Sequence, residues 1–359
     1  MSLPYSFSFK LIEWSQKNDR QLPWKQTNDP YKIWLSEIIL QQTRIDQGTP
    51  YYLKFVSRFP TIKDLADAKE DEVLKLWQGL GYYSRARNLH FTAKFITHEL
   101  NGNFPSEYNE ILKLKGVGVY TAAAISSFAF GLPQAVVDGN VYRVLSRIFG
   151  IDTPIDSTSG KKEFSALAQS LMDKAKPAQY NQAIMDFGAL QCSPKSPDCL
   201  ICPFNDICIA FNHKRITQLP VKSKKITIKN RYFHYLVVNH EESTFVRKRS
   251  DKDIWKGLYE FPLIECASLL SPEKLQNHAK WKSLFTGSNI EVAAVSRPFK
   301  QKLTHQHIHA IFLEIKLSKP QKDLNSQFKV VPKPLIQQFA FPKIITWFLS
   351  DKSLYLGLK

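Results

Sequence analysis

The chain has 359 residues, 43% apolar and 23% charged, which excludes a disordered polymer, a collagen-like chain and a small disulfide scaffold. Its net charge of +17 points to an acidic partner, with nucleic acid the first candidate, and the excess is uneven: +2 over residues 1–210 and +15 over residues 211–359. At about 100–200 residues per domain, two domains or three are expected. No run of about 18 apolar residues predicts a membrane span. Met1–Trp14 lacks the basic stretch and apolar core of a signal peptide. A cytoplasmic, reducing location is therefore expected, where the five cysteines are better suited to ligation than to disulfides.

Residues 1–210 read as helices. Tyr31–Gln47 has apolar residues at helical spacing (Ile33, Trp34, Ile38, Leu40, Ile45), and Asp71–Gln78, Tyr82–Leu100, Tyr120–Phe130, Asn140–Gly150, Lys161–Lys174 and Gln179–Leu190 repeat the pattern. Gly79-Leu80-Gly81, Asn101-Gly102-Asn103, Gly116-Val117-Gly118 and Asp138-Gly139-Asn140 punctuate it. A cysteine-rich stretch, 192–208, closes this region, and a basic connector follows over about His213–Lys229. Beyond it, Tyr232–Asn239, Thr244–Lys248, Tyr259–Ile264, Glu291–Ser296 and His305–Ile315 favour strands, with a last helix over Leu335–Leu349. The predicted division is 1–212 all-α, 213–227 linker and 228–359 α+β.

Cys192, Cys199, Cys202 and Cys208 follow the spacing C-x6-C-x2-C-x5-C. Four thiolates in so short a stretch can wrap one metal centre at little loop-closure cost. Zinc usually takes two separated C-x2-C pairs and remains an alternative; one pair with longer arms suits a cubane iron–sulfur cluster. Cys266 stands alone and is expected to be merely packed. Placed after an all-helical region with a Gly-Val-Gly turn and a downstream Asp, this spacing resembles the endonuclease III superfamily of DNA glycosylases over residues 5 to 210. The resemblance implies an all-α helix–hairpin–helix domain with a 4Fe–4S cluster loop at 192–208, and makes Lys195 a candidate phosphate contact.

Leu114-Lys115-Gly116-Val117-Gly118-Val119-Tyr120-Thr121-Ala122 is similar to the family's hairpin, with Lys115 in place of the usual Pro. Alone, G-x-G before a helix is equally a plain loop. Within this resemblance, Gly116 and Gly118 let the backbone approach a DNA phosphate at a helix N-terminus. Asp138 precedes a helix and suits an N-cap. The string Val137-Asp138-Gly139-Asn140-Val141-Tyr142-Arg143 also resembles the family's catalytic loop, which implies a carboxylate meeting the sugar of the target nucleotide; the two roles are compatible.

Lyase relatives carry a Schiff-base lysine two residues after the second hairpin glycine. Tyr120 stands there and cannot form an imine, so a monofunctional enzyme of the adenine DNA glycosylase branch is implied. Glu37, in Ser36-Glu37-Ile38-Ile39-Leu40-Gln41-Gln42-Thr43, shares its helix face with Ile33, Trp34, Leu40 and Gln41. A carboxyl on a mostly apolar face loses solvation and its pKa rises; at about 6, as for the lysozyme acid, a useful fraction stays protonated at neutral pH. A helix glutamate bonded to a neighbour is the plainer alternative. The resemblance implies that Glu37 protonates adenine, Asp138 stabilises the sugar cation, and Tyr120 and Asn140 position them. It also implies that Gln42, beside Gln41, fills the duplex while Tyr82 intercalates. Lys25 and Gln182 depart from the branch's common residues.

Residues 228–359 are similar to the branch's Nudix-like lesion-recognition domain. The R-E-x-x-E-E stretch of a working Nudix pyrophosphatase is missing, so that activity is not expected. Leu303-Thr304-His305 aligns with the F-S-H loop, which makes Thr304 and His305 the lesion contacts, with Leu303 lacking the aromatic ring. On a strand, His305, His307 and His309 would share one face, as incidental imidazoles or a metal site. The expected activity is excision of adenine opposite 8-oxoguanine, or guanine, in double-stranded DNA by a nucleoid-associated monomer needing no membrane. The rivals are a bifunctional pyrimidine-lesion glycosylase/lyase and a non-catalytic, redox-responsive DNA-binding protein.

Overall fold

The computed structural model describes residues 3–223, 227–250, 253–286, 290–319 and 322–351. The chain forms two compact units: Met1–Asp67 with Asn88–Lys225, and Ala68–Arg87 with Ile226–Lys359. Two boundaries differ from expectation. Residues 68–87 pack with the second unit, where the Tyr259 hydroxyl donates to Asp71 (3.0 Å), Lys248 pairs with Glu70 (3.2 Å) and Arg87 donates to the Lys256 carbonyl (2.5 Å). The connector after residue 212 is held to the first unit rather than left as a linker. Ile155 N–H donates to the Val221 carbonyl at 3.0 Å and Arg147 Nε to the Leu219 carbonyl at 3.2 Å. Lys224 and Lys225 lie outside the described residues.

The chain's helices begin with α1 (Leu3–Lys17), α2 (Pro30–Leu40), α3 (Ile45–Arg58), α4 (Ile62–Asp67), α5 (Glu70–Leu76) and α6 (Ser84–Glu99). They continue with α7 (Tyr108–Lys113), α8 (Val119–Phe130), α9 (Gly139–Phe149), α10 (Thr158–Leu171), α11 (Pro177–Leu190) and α12 (Ile209–Asn212). The predicted helix over 31–47 is two helices. Asp29 caps α2, its carboxylate accepting from Tyr31 N–H, and Pro30 sits at the first helical position, where its missing N–H costs nothing. The helix stops because Gln42 adopts φ 55, a left-handed conformation that no α-helix continues through. α1 packs on α10 and α11 around Phe7, Phe187 and Phe204, with Phe7 stacked on Phe204 at 4.9 Å.

In the second unit, β1 (Lys229–His240) is the centre of a mixed sheet. It pairs in parallel with β7 (Gln306–Leu317) and antiparallel with β2 (Ser243–Lys248) and β4 (Leu263–Cys266). β3 (Tyr259–Glu260) and β8 (Lys329–Pro332) join β2, while β5 (Ile290–Val295) and β6 (Phe299–Lys302) join β7. The predicted strand over 259–264 is thus split, at Phe261-Pro262, since Pro262 has no N–H to give a ladder. The predicted last helix is also split, into a 3-10 turn (Lys333–Gln338) and a helix (Lys343–Ser350) starting after Pro342. Phe312 joins this helix to the sheet, stacked on Phe348 at 4.0 Å and on Tyr235 at 5.1 Å.

Candidate active site

Three elements of the first unit converge on one carboxyl group. α2 buries Glu37 (8% exposed) among Ile33, Trp34 and Ile38, which withdraws its carboxyl from bulk solvent. That burial lifts its pKa to about 7; the nearby Asp138 carboxylate pushes the same way, while a hydrogen bond with Tyr120 favours the ionised form. The lift exceeds the value of about 6 expected from the sequence. Tyr120 comes from the first turn of α8 and its phenol is raised well above its ordinary range, chiefly by burial and then by Glu37 and Asp138. Its hydroxyl also lies 3.5 Å from Met185 Sδ.

Asp138 is the N-cap of α9, which settles one of the two roles read from the sequence. Oδ1 accepts from Asn140 and Val141 N–H, both at 2.8 Å, and Oδ2 accepts from Asn140 Nδ2 at 2.9 Å. Burial raises its pKa, and these donors oppose the rise. Asn140 is fixed from behind. Its Oδ1 accepts from Arg143 Nη2 at 2.9 Å, and Arg143, itself buried, donates to the Gly188 carbonyl (2.6 Å) and the Cys192 carbonyl (2.8 Å). A Cβ on Gly188 would lie 2.6 Å from Asn140 Cβ, so only glycine admits this approach. The carboxylate is therefore tied, through Asn140 and one guanidinium, to the first cysteine of the 192–208 loop.

Glu37 lines a cavity of about 520 Å³ with Trp24, Lys25, Gln182 and Asp186. Its far wall is a buried ion network that sequence reasoning missed. Asp186 accepts from Lys25 Nζ (2.7 Å), Arg20 Nε (2.8 Å) and Gln182 Nε2 (3.0 Å). The signal was the i, i+4 spacing of Gln182 and Asp186, which places both on one face of α11. Gln41 lies at the end of α2, its Nε2 donating to Thr121 Oγ1 at 3.2 Å, and the neighbouring Gln42 is exposed.

The hairpin links α7 to α8. Gly116 has φ +86, and a Cβ there would lie 2.8 Å from Asn88 Cβ, so this position requires glycine on both counts. Gly118 is the N-cap of α8; a Cβ there would meet nothing within 4 Å, and no side chain caps the first amides, which leaves them open to an anion. Lys115 Nζ sits 4.1 Å above the Phe91 ring, and its carbonyl accepts from Thr92 Oγ1 at 2.9 Å.

Cys192, Cys199, Cys202 and Cys208 form no disulfide and line one small apolar void of about 20 Å³. Arg147 wraps it, donating to Cys192 Sγ (3.5 Å) and to the Ser193 (2.8 Å) and Pro194 (3.0 Å) carbonyls. A four-thiol donor set with an adjoining guanidinium fits a thiolate-ligated cluster, whose negative charge the arginine offsets. Among the described residues, no group of three or more His, Cys, Asp or Glu is arranged to hold a metal ion. Lys195 is exposed on the same loop.

In the second unit, Tyr82 has φ 49 and its hydroxyl hydrogen-bonds that of Thr304. Both line a cavity of about 390 Å³ with Leu303, His305, Arg87 and Trp255. His305 precedes β7 rather than lying on it, so only His307 and His309 share a strand face, contrary to the three-histidine expectation. Cys266 ends β4 in this unit, half-buried. No helix among the described residues is long and apolar enough to cross a membrane.

Both parts of the chain match known families in sequence. Residues 35–172 match the HhH-GPD superfamily of base excision DNA repair proteins, and residues 234–351 match the NUDIX domain. The chain is 35% identical over 319 residues to the adenine DNA glycosylase of Buchnera aphidicola from Schizaphis graminum, covering 88% of each chain. It is 41% identical over 223 residues to the adenine DNA glycosylase of Homo sapiens, covering 60% of this chain and 41% of that protein. Among solved structures it resembles a thermostable thymine-DNA glycosylase (TM-score 0.55, 30% identity, 58% of this chain and 97% of that one). A non-covalent endonuclease III–DNA complex shares the fold (TM-score 0.51, 22% identity, 60% of this chain and 99% of that one).

Proposed function

The chain belongs to the adenine DNA glycosylases, N-glycosyl hydrolases of base excision repair, and we propose that it excises adenine mispaired with 8-oxoguanine or guanine in duplex DNA. The observation that carries this is the buried, proton-retaining carboxyl of Glu37 at the cavity wall, coupled to Tyr120 and Asp138.

The adenine is turned out of the stack into the cavity lined by Trp24, Lys25 and Gln182. Glu37 transfers its proton to N7 of the base. The C1′–N9 bond then breaks with its electron pair leaving on the neutral base, and C1′ becomes cationic. Asp138 stabilises that cation, its carboxylate kept in place by Asn140 and the α9 amides. A water oxygen bonds C1′, and its proton restores Glu37. This two-carboxylate division of labour is that of glycoside hydrolysis. Tyr120 occupies the hairpin position of a lyase lysine and offers no amine, so the reaction stops at an abasic site.

Gln42 would fill the space beside the vacated stack, Tyr82 would intercalate, and Thr304 and His305 would read the opposite base. Left-handed backbone at both Gln42 and Tyr82 supports this, since strain at non-glycine residues concentrates at functional positions. Gly116, Gly118 and the open α8 amides would bind a DNA phosphate. The four cysteines would hold a 4Fe–4S cluster that fixes the 192–208 loop and, through Arg143, the ground behind Asn140.

Single-turnover assays on duplexes carrying adenine opposite 8-oxoguanine, guanine or thymine test the proposal. Expected are alkali-dependent breaks opposite the first two, none opposite thymine, and no covalent adduct on borohydride treatment. Breaks without alkali, or a trapped adduct, would contradict a monofunctional hydrolase.

A further inference from the structure

On one face of the second unit's sheet the core covers Leu236, Ile311 and Leu313 but leaves open the end where β1 and β7 begin, at which Asn230, Tyr232, His307 and His309 are exposed or half-buried. Along β6 the side chains alternate, with Phe299 and Gln301 buried and Lys300 and Lys302 exposed. The register carries this alternation across three strands. Lys300 pairs with His309, which pairs with Tyr232; Lys302 pairs with His307, which pairs with Asn230. Cross-strand partners share a face, as do residues two apart, so these six side chains form two adjacent rows about 7 Å apart at this open end.

The rows are organised. The Tyr232 and His309 rings stack at 5.0 Å and 22°, and His309 Nε2 lies 3.1 Å from Asn230 Oδ1, which pins the imidazole. Neither row contains an acidic residue, and neither lysine has a carboxylate partner among the described residues. The nearby Glu265 belongs to the other alternation of β1 and β4 and is engaged by Arg231 at 2.7 Å. The electropositive rows run directly into the cavity that holds Thr304 and His305, because Lys302 lines that cavity too.

We propose that this face, carrying Lys300, Lys302, His307, His309 and Tyr232, is a docking surface for the phosphate backbone of duplex DNA, extending the DNA path outward from the Thr304 cavity. The lysines supply charge, the imidazoles and Asn230 supply hydrogen bonds, and the Tyr232–His309 stack is a flat pad for the sugars. The inference rests on the DNA-binding reading of the second unit, whose residues 211–359 carry +15. Backbone contacts of this kind fix register without reading sequence.

The test is the salt dependence of binding to an undamaged duplex, read by fluorescence anisotropy on the full-length protein. Removing one lysine–phosphate interaction lowers the slope of log K against log salt by about 0.9, so Lys300→Gln/Lys302→Gln is expected to lower it by about 1.8. Lys300→Arg/Lys302→Arg should keep the slope. Lys274→Gln/Lys282→Gln, on exposed helical positions, removes the same net charge and should leave it near the parent value. An unchanged slope in the first variant, or an equal drop in the last, would overturn the proposal. Because no excision is needed, failure here is distinguishable from failure of the catalytic reading.

Discussion

Glu37→Gln is expected to lower single-turnover adenine excision by about 10²–10⁴-fold, the usual worth of a positioned general acid. The amide keeps the shape and the hydrogen bonding of the side chain and removes its acidic proton. Duplex binding should survive, because the cavity wall of Trp24, Lys25 and Asp186 is untouched. The same substitution should stabilise the fold. A carboxyl raised from 4.5 to about 7 destabilises the native state as pH climbs above the unfolded value, a cost of order 3 kcal/mol once pH exceeds the folded pKa. Urea unfolding of the variant at pH 8 should therefore show a midpoint no lower than the parent's. A variant that loses activity together with stability would mark Glu37 as a structural residue.

Asp138→Asn separates two functions held in one side chain. Asparagine caps helices about as well as aspartate, so Oδ1 can still accept from the Asn140 and Val141 amides; only the bond from Asn140 Nδ2, which needs a second acceptor, is lost, and stability should fall less than in Asp138→Ala. The charge facing the sugar cation is lost, and excision should fall by at least about 10²–10³-fold, the scale of removing one preorganised electrostatic partner. Asp138→Ala should lose both, with an added stability cost of about 1 kcal/mol. Excision kinetics and unfolding midpoints measured on the pair distinguish the roles; an active Asp138→Asn protein would leave Asp138 only its cap.

What was legible in the sequence was what local spacing controls. The i±3 and i±4 neighbours of Glu37 are mostly apolar, so its burial and raised pKa followed from the helix alone. Asp138 before a helical pattern read as a cap because capping is a short-range interaction. Pro262 and Pro342 were equally local signals, and both interrupted elements that hydropathy alone had drawn as continuous. The break at Gln42 was not legible, since glutamine has no intrinsic preference for φ above zero and tertiary structure imposes it. The Arg20–Lys25–Asp186 network joins positions more than 160 residues apart. The Arg143 link between Asn140 and Cys192 likewise depends on how α9 and α11 pack. The placement of residues 68–87 with the second unit was hidden for the same reason: their helical pattern is correct, but their partners, Lys248, Lys256 and Tyr259, come from the far end of the chain.

If a protonated Glu37 and an ionised Asp138 work together, the single-turnover excision rate follows a bell against pH. The rate should fall as pH rises through about 7, where Glu37 loses its proton, and fall again in acid as Asp138, its pKa raised by burial, gains one. The alkaline limb should vanish in Glu37→Gln, leaving only a low residual rate. A rate that climbs with pH through neutrality, as for a deprotonated amine or a general base, would contradict it.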